Sequence, residues 1–156
     1  LVEIARSGVL QVHNEFFTEV TSLSRREEYG LADIVVARHC LTHNEFPHEM
    51  IKAAHLILSN DGAMAIANAY ALNTVMNGGI DRTYHEHMYY YSVSSCSVLW
   101  ELRGSEIVDA TVGMVHGGSI IVVAKRIGRA NKNNNLMIFE ELEDIYLPDH
   151  SIKEFS

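Results

Sequence analysis

The stretch ADIVVARH at residues 32–39 and the stretch AMAIANAY at residues 63–70 decide the fold of this chain. Each is a short, continuous apolar run, a pattern typical of a strand buried on both faces in a parallel sheet. Between them, Pro47 suits the first turn of a helix, and apolar residues recur every three or four positions from Met50 to Leu58. The order strand, helix, strand predicts an α/β unit with parallel strands.

Local patterns predict further helices and strands around this unit. A polar segment that ends at Gly30 indicates a helix, and Ser94 or Ser95 is available to cap a later one. Two final apolar runs joined by HGGS indicate an antiparallel hairpin. The predicted elements are a helix end at 1–7, a strand that leaves into a loop at 9–17, helices at 18–29, 93–102 and 136–145, a turn at 59–62, and strands at 106–115 and 119–126.

The composition is that of a single globular domain, with 156 residues of which 47% are hydrophobic and 21% charged. The net charge of −8, without a cluster of Lys and Arg, argues against binding to nucleic acid. Cys40 and Cys96 form no CxxC pair, which predicts free, buried thiols in a reducing compartment. The apolar runs are too short to cross a bilayer and no signal peptide is evident, so we expect a cytoplasmic protein that needs no membrane.

The segment DRTYHEHMYYY at residues 81–91 is the strongest candidate for a functional site, because it combines two histidines, Glu86 and four tyrosines. Imidazole is the usual general base near neutral pH. Helical metal-binding histidines are spaced i and i+4, whereas His85 and His87 are two residues apart, so we expect no metal. The alternative is that the segment is an aromatic wedge packed between sheet and helix.

Four segments, in order along the chain, match motifs of one enzyme family. GVLQVHNEFF at residues 8–17 is similar to GI.vi.eFF, and residues 32–70 are similar to the second half of a class I methyltransferase domain. IDRTYHEHMYYYSVSS at residues 80–95 is similar to FDTIYHEHYSYFSL, and MVHGGSIIVVAKR at residues 114–126 is similar to HGGSLRVYV. The chain therefore resembles, over nearly its whole length, the S-adenosylmethionine-dependent nucleotide-sugar C-methyltransferases.

This resemblance implies a Rossmann-like class I methyltransferase sheet, of which the later strands and the terminal antiparallel hairpin are present. The chain has neither the four zinc-binding cysteines nor the GxGxG loop that precede this part in the family. We therefore expect a fragment truncated at both ends. It would comprise a partial methyltransferase domain at residues 1–130, and a linker and helix towards a missing C-terminal domain at residues 131–156. Such a fragment would be inactive by itself, and its exposed sheet edge would favour a homo-oligomer.

The resemblance also implies a reaction. A base removes a proton from the carbon next to the ketone of a nucleotide-linked deoxy-sugar, and the enolate then takes the methyl group of S-adenosylmethionine. His87 is the implied base, and Tyr84, Glu86 and His43 complete the implied catalytic group. The residues implied to face the cofactor are Phe16, Phe17, Ala37, Arg38 and His39, where His39 takes the place of an expected asparagine. The residues implied to face the substrate are Asn68, Tyr70 and His116.

Two other functions remain open at the level of the sequence. The first is a non-catalytic α/β binding or assembly module that derives from such an enzyme and uses the same cleft. The second is a methyltransferase that acts on another small molecule. Replacement of His87 separates catalysis from the binding module, because only an enzyme needs the imidazole as a base.

Overall fold

The computed structural model of the protein describes residues 11–76, 87–113 and 118–147. The predicted helix end at residues 1–7 lies outside these ranges. In chain order the elements are α1 (Glu19–Tyr29), β1 (Ala32–Arg38), a 3-10 turn (Leu41–His43), α2 (Pro47–Ile57), β2 (Leu58–Ala69), α3 (Ala71–Met76), α4 (Val93–Glu101), β3 (Ser105–Gly113), β4 (Ser119–Arg126) and α5 (Asn135–Tyr146).

The four strands form one mixed sheet in the order β1-β2-β4-β3. β1 pairs in parallel with β2, while β4 is antiparallel to both β2 and β3. The predicted α/β sheet with parallel strands and a final antiparallel hairpin is therefore confirmed. The longest described helix, α5, has 12 residues, and none of the described helices is long and apolar enough to cross a membrane.

Local signals account for the ends of several helices. The side chain of Thr18 caps α1 by accepting the N–H of Thr21, and Gly30 ends the helix at a positive φ of 85°. Pro47 occupies the first turn of α2, as predicted. The cap of α4 is Ser92 rather than Ser94 or Ser95, since the box that it forms needs a partner three residues later, and Ser95 is that partner.

The core lies on one face of the sheet, beneath the helices. Alternate residues of β2 and β4 point into it, including Met64, Ile66, Ile120 and Val122, and Trp100 of α4 is fully buried against them. The other face is apolar but open, because Ile34 and Val36 of β1 are 66% and 71% exposed. The prediction that β1 is buried on both faces is therefore wrong for this chain. β1 is an edge strand, and within the described ranges no element covers its second face.

Three further predictions need correction. Residues 59–62 form no turn between helix and strand, because β2 already begins at Leu58 and includes them. They bulge against β1, so that Ala32 lies opposite Leu58 but Ile34 lies opposite Ala63. The strand predicted at residues 9–17 is absent from the described part, residues 11–17. Finally, both thiols are free as expected, but Cys40 is exposed because it follows the strand at the edge of the sheet.

α5 packs against α4 and β3 as part of the core, and its anchor is the buried carboxylate of Glu143. This side chain accepts hydrogen bonds from the N–H of Val93 (2.7 Å), the N–H and the hydroxyl of Ser94 (3.0 and 2.7 Å), and the hydroxyl of Tyr70 (3.0 Å). The carboxylate thereby satisfies donors at the N-terminus of α4, where the helix dipole favours negative charge. The helix predicted at residues 136–145 is confirmed, and the further domain expected after it stays a prediction.

At the opposite end of the sheet, the guanidinium of Arg126 closes the C-terminus of α2. Its Nη2 donates to the carbonyl oxygens of His55 and Leu58, both at 2.9 Å. Its Nη1 meets Nε2 of His55, and Nδ1 of the same ring lies 3.1 Å from the hydroxyl of Ser105. Arginine only donates, so Nε2 must accept and Nδ1 must carry the hydrogen directed at Ser105. Burial and the charge of Arg126 lower the pKa of His55.

The replacement Glu143→Gln should lower the free energy of unfolding by about 1–3 kcal/mol, because an amide nitrogen cannot accept the hydrogen bonds that the buried carboxylate accepts. Urea unfolding followed by circular dichroism measures this loss. Glu141→Gln, at an exposed position of the same helix, is the matched control and should leave the midpoint unchanged. Equal midpoints for the two variants would show that Glu143 does not anchor α5.

The lowered pKa of His55 predicts a loss of stability in acid. The unfolded chain takes up the imidazole proton at a higher pH than the folded chain. The stability that neutral His55 contributes is therefore complete above the unfolded pKa and is lost as the pH falls through the folded pKa. Urea midpoints at pH 7.5 and 5.5 should therefore differ less for His55→Gln than for the wild type. His48→Gln, on an exposed side chain of the same helix, should keep the wild-type difference.

Candidate functional site

The candidate site lies at the edge of the sheet where β1 and β2 both end. Parallel strands bring their carboxyl ends together, and ligands of open α/β sheets bind beyond that edge. β1 ends at Arg38, and the chain then turns at His39, which has a positive φ of 52°. The N–H of His39 donates to the carbonyl oxygen of Ala67 at 2.7 Å, so the parallel ladder continues to the turn itself.

The backbone of His39 explains which side chains suit this position. Asn, Asp and His enter the left-handed region more readily than other residues with a Cβ atom, although the conformation still costs about 1–3 kcal/mol. The asparagine expected from the resemblance and the histidine found here therefore meet the same backbone requirement. Strained backbone of this kind is concentrated at functional sites.

The site brings together two of the four residues predicted for catalysis. The rings of His43 and His87 meet edge to face, with centroids 4.9 Å apart and planes at 62°. His43 is exposed at the end of the 3-10 turn, and His87 is half-buried beside Tyr90, at a centroid distance of 5.7 Å. Tyr84 and Glu86 lie outside the described residues, so their part in the catalytic group stays a prediction.

The segment at residues 87–91 lies across the ends of both strands. The N–H of Met88 donates to the carbonyl oxygen of Thr42 (3.0 Å), and that of Tyr91 donates to the carbonyl oxygen of Ala69 (3.4 Å). The carbonyl oxygen of Tyr91 accepts the N–H of Ala71 at 2.9 Å. These bonds hold the segment against the 3-10 turn on one side and against the end of β2 on the other. The sequence analysis assigned no role to Thr42, Met88 or Tyr91, although the run of tyrosines marked the segment.

Asn68, which was predicted to contact the substrate, is fully buried beneath the 3-10 turn. Its Oδ1 accepts the hydroxyl of Thr42, which is equally buried, at 3.4 Å. Its Nδ2 has no hydrogen-bond partner among the described residues. A buried amide donor without an acceptor costs free energy, and the contact of Asn68 with a substrate stays a prediction.

The other two residues predicted to contact the substrate are Tyr70 and His116. The hydroxyl of Tyr70 points into the core and donates to Glu143. Burial and the neighbouring carboxylate raise the pKa of Tyr70, so this hydroxyl remains a donor at every ordinary pH. The described geometry therefore gives Tyr70 a structural contact and no open path to a ligand. His116 lies outside the described residues.

The residues predicted to face the cofactor come from two parts of the chain, the end of β1 and the segment before α1. Ala37 is buried in the core, and Arg38 is exposed at the sheet edge beside His39. Phe16 and Phe17 precede the cap of α1 and are 89% and 39% exposed. The contact of these residues with the cofactor stays a prediction. The sequence has no GxGxG loop to hold its methionine part.

Within the described ranges, no group of three or more His, Cys, Asp and Glu side chains is arranged to hold a metal ion. The only pair of imidazoles in mutual ring contact there is His43 with His87.

Part of this chain is similar in sequence to a known methyltransferase. The C-methyltransferase NovU of Streptomyces niveus is 35% identical to this chain over 96 residues, which are 62% of this chain and 23% of that protein. This chain resembles a C-methyltransferase. It spans less than a quarter of the length of that relative. No family model matches the sequence.

Solved structures show the same fold. An S-adenosylmethionine-dependent methyltransferase from Anabaena variabilis aligns with a TM-score of 0.56 at 12% identity, over 80% of this chain and 63% of that chain. TnmH aligns with a TM-score of 0.50 at 17% identity, over 61% of this chain and 30% of that chain. At these identities the likeness concerns the fold alone, and it confirms the predicted class I methyltransferase sheet.

Proposed function

We propose that this chain is the central part of an S-adenosylmethionine-dependent C-methyltransferase that acts on a nucleotide-linked keto-deoxy-sugar. The observation that carries the proposal is the contact between His43 and His87 at the carboxyl edge of a methyltransferase sheet. The identity to a C-methyltransferase over most of the chain supports transfer to carbon. The bound cofactor supplies the electrophilic methyl group.

In this proposal His87 removes the proton from the carbon next to the ketone. The C–H bond breaks, the proton goes to the imidazole, and the electron pair passes to the ketone oxygen as an enolate. A neutral imidazole has the basicity for this step near pH 7. His43, in contact with the His87 ring and exposed beside it, orients the base and faces the incoming substrate. Tyr84 and Glu86 complete the proposed catalytic group.

The wider parts of the proposal rest on the sequence. The isolated chain lacks the glycine-rich loop whose backbone would hold the methionine part of the cofactor, so we propose that activity needs further segments of a longer protein. Both cysteines are free, which supports a reducing cytoplasm as the compartment. The position of Asn68 near the end of β2, next to the turn that carries His43, supports keeping it as a proposed contact to the sugar.

Replacement of His87 by glutamine tests the proposed chemistry in the full-length protein. Because general-base catalysis contributes about 10²–10⁴-fold, proton removal should slow by at least roughly 10²-fold while the fold survives. Deuterium exchange into the carbon next to the ketone measures this step directly. His48→Gln, at an exposed position on α2, should exchange at the wild-type rate. Undiminished exchange in His87→Gln would contradict the proposal and favour the non-catalytic module.

We also propose that a second copy of the chain covers the edge of the sheet. Among the described strands β1 lies at the edge of the sheet, and its exposed side chains Ile34 and Val36 provide an apolar surface there. Light scattering should give a dimer or larger assembly for the wild type and a smaller species for Val36→Lys. Ile138→Lys, at an exposed position of α5, should leave the mass unchanged. A monomeric wild type at working concentration would remove this proposal.

A further inference from the structure

The two imidazoles of the candidate site reach each other from segments that are distant in sequence. His43 ends the 3-10 turn after β1, and His87 begins the segment that returns across the strand ends. One backbone bond joins these segments directly, from the N–H of Met88 to the carbonyl oxygen of Thr42 at 3.0 Å. Thr42 and Met88 are sequence neighbours of His43 and His87. This single bond therefore sets the distance between the two backbone segments at that point, but it does not fix the angle between the segments.

Two tyrosine hydroxyls add contacts on either side of that bond. The hydroxyl of Tyr89 donates to the carbonyl oxygen of Glu45 at 3.3 Å, and the hydroxyl of Tyr91 donates to that of Leu41 at 3.4 Å. Leu41 lies two residues before His43 and Glu45 lies two residues after it. The stretch from Leu41 to Glu45, with His43 at its centre, therefore accepts a hydrogen bond at each end from a side chain of the segment that carries His87.

The two hydroxyls differ in exposure but face the same short loop. Tyr91 is 5% exposed, and burial raises its pKa, so its hydroxyl stays protonated and able to donate at every pH of interest. Tyr89 is 39% exposed, and its ring lies 6.2 Å from that of Tyr91. Both bonds are longer than the roughly 3.0 Å upper end of the usual range for a hydroxyl donor, so each is weak alone and we expect their effect to come from the pair.

We propose that Tyr89 and Tyr91 are positioning residues, whose hydroxyls hold the turn with His43 at its contact distance from His87. The role for catalysis rests on the proposed function of His87 as the base. The acceptors are backbone carbonyls, so a change of either tyrosine leaves the acceptor in place. Phenylalanine keeps the ring and its packing and removes only the oxygen, which makes Tyr→Phe the variant that isolates the hydrogen bond.

The first test follows the two rings by NMR in the protein with Tyr89→Phe, Tyr91→Phe and both changes. We expect the cross-peak between the His43 and His87 rings to weaken in each single variant and to disappear in the double variant. Tyr146→Phe removes a hydroxyl from an exposed position of α5 and should leave the cross-peak as in the wild type. If Tyr91→Phe fails to fold, the partly exposed Tyr89 still provides a variant with the core intact.

The second test measures methyl transfer by the full-length protein. Because misplacement of a catalytic group by about 1 Å can cost on the order of 10²-fold, we expect kcat of the double variant to fall roughly tenfold, with KM for the sugar unchanged. A purely structural role would lower the urea midpoint but leave both kcat and the cross-peak at wild-type values. That result would overturn the proposal.

The experiments distinguish failure of the proposed base, His87, from failure of the proposed positioning role of the two tyrosines. If His87→Gln removes proton exchange but the tyrosine variants keep the contact between the rings and the rate, only the positioning role is wrong. If His87→Gln retains exchange while the tyrosine variants lose the contact, the hydroxyls do hold the turn, but the site is not the proposed catalytic one. Loss of exchange together with loss of the contact and of kcat supports both.

Discussion

The parallel register of β1 on β2, in which Ala37 lies opposite Ile66, brings the ends of both strands to one edge, and the candidate site depends on that edge. The ladder continues for one more bond, from the N–H of His39 to the carbonyl oxygen of Ala67. The chain then leaves the sheet at His39, whose backbone adopts the left-handed conformation. The following turn consequently lies over the end of β2, where the segment with His87 returns.

Two charged side chains, the buried Glu143 and the half-buried Arg126, cap helices at the two ends of this sheet. Glu143 accepts four hydrogen bonds at and near the N-terminus of α4, and Arg126 donates to carbonyl oxygens at the C-terminus of α2. Each satisfies backbone groups that a helix leaves without internal partners. Both come from later parts of the chain, and so they bind the elements after the β-α-β unit to that unit. Glu143 lies at the end of the sheet that carries the site, and Arg126 lies at the opposite end.

The two histidines of the candidate site could be predicted from the sequence, but the contacts that support them could not. His87 and His43 follow from a motif and from the position after a strand, and the structure places their rings in contact. The hydroxyls that hold this contact act over 44 and 50 residues, from Tyr89 and Tyr91 to backbone carbonyl oxygens. A carbonyl acceptor has no sequence signature, since every residue carries one.

What the sequence determined by itself is the set of elements whose signals are local. The end of α1 at Gly30, the start of α2 at Pro47 and the β3–β4 hairpin depend on neighbouring residues, and all three are found where the patterns place them. Only the tertiary structure decided that β1 is open on one face and that residues 59–62 bulge within β2. An apolar pattern reports which side chains avoid water, but the elements that cover them and the register of their pairing are set by contacts between distant parts of the chain.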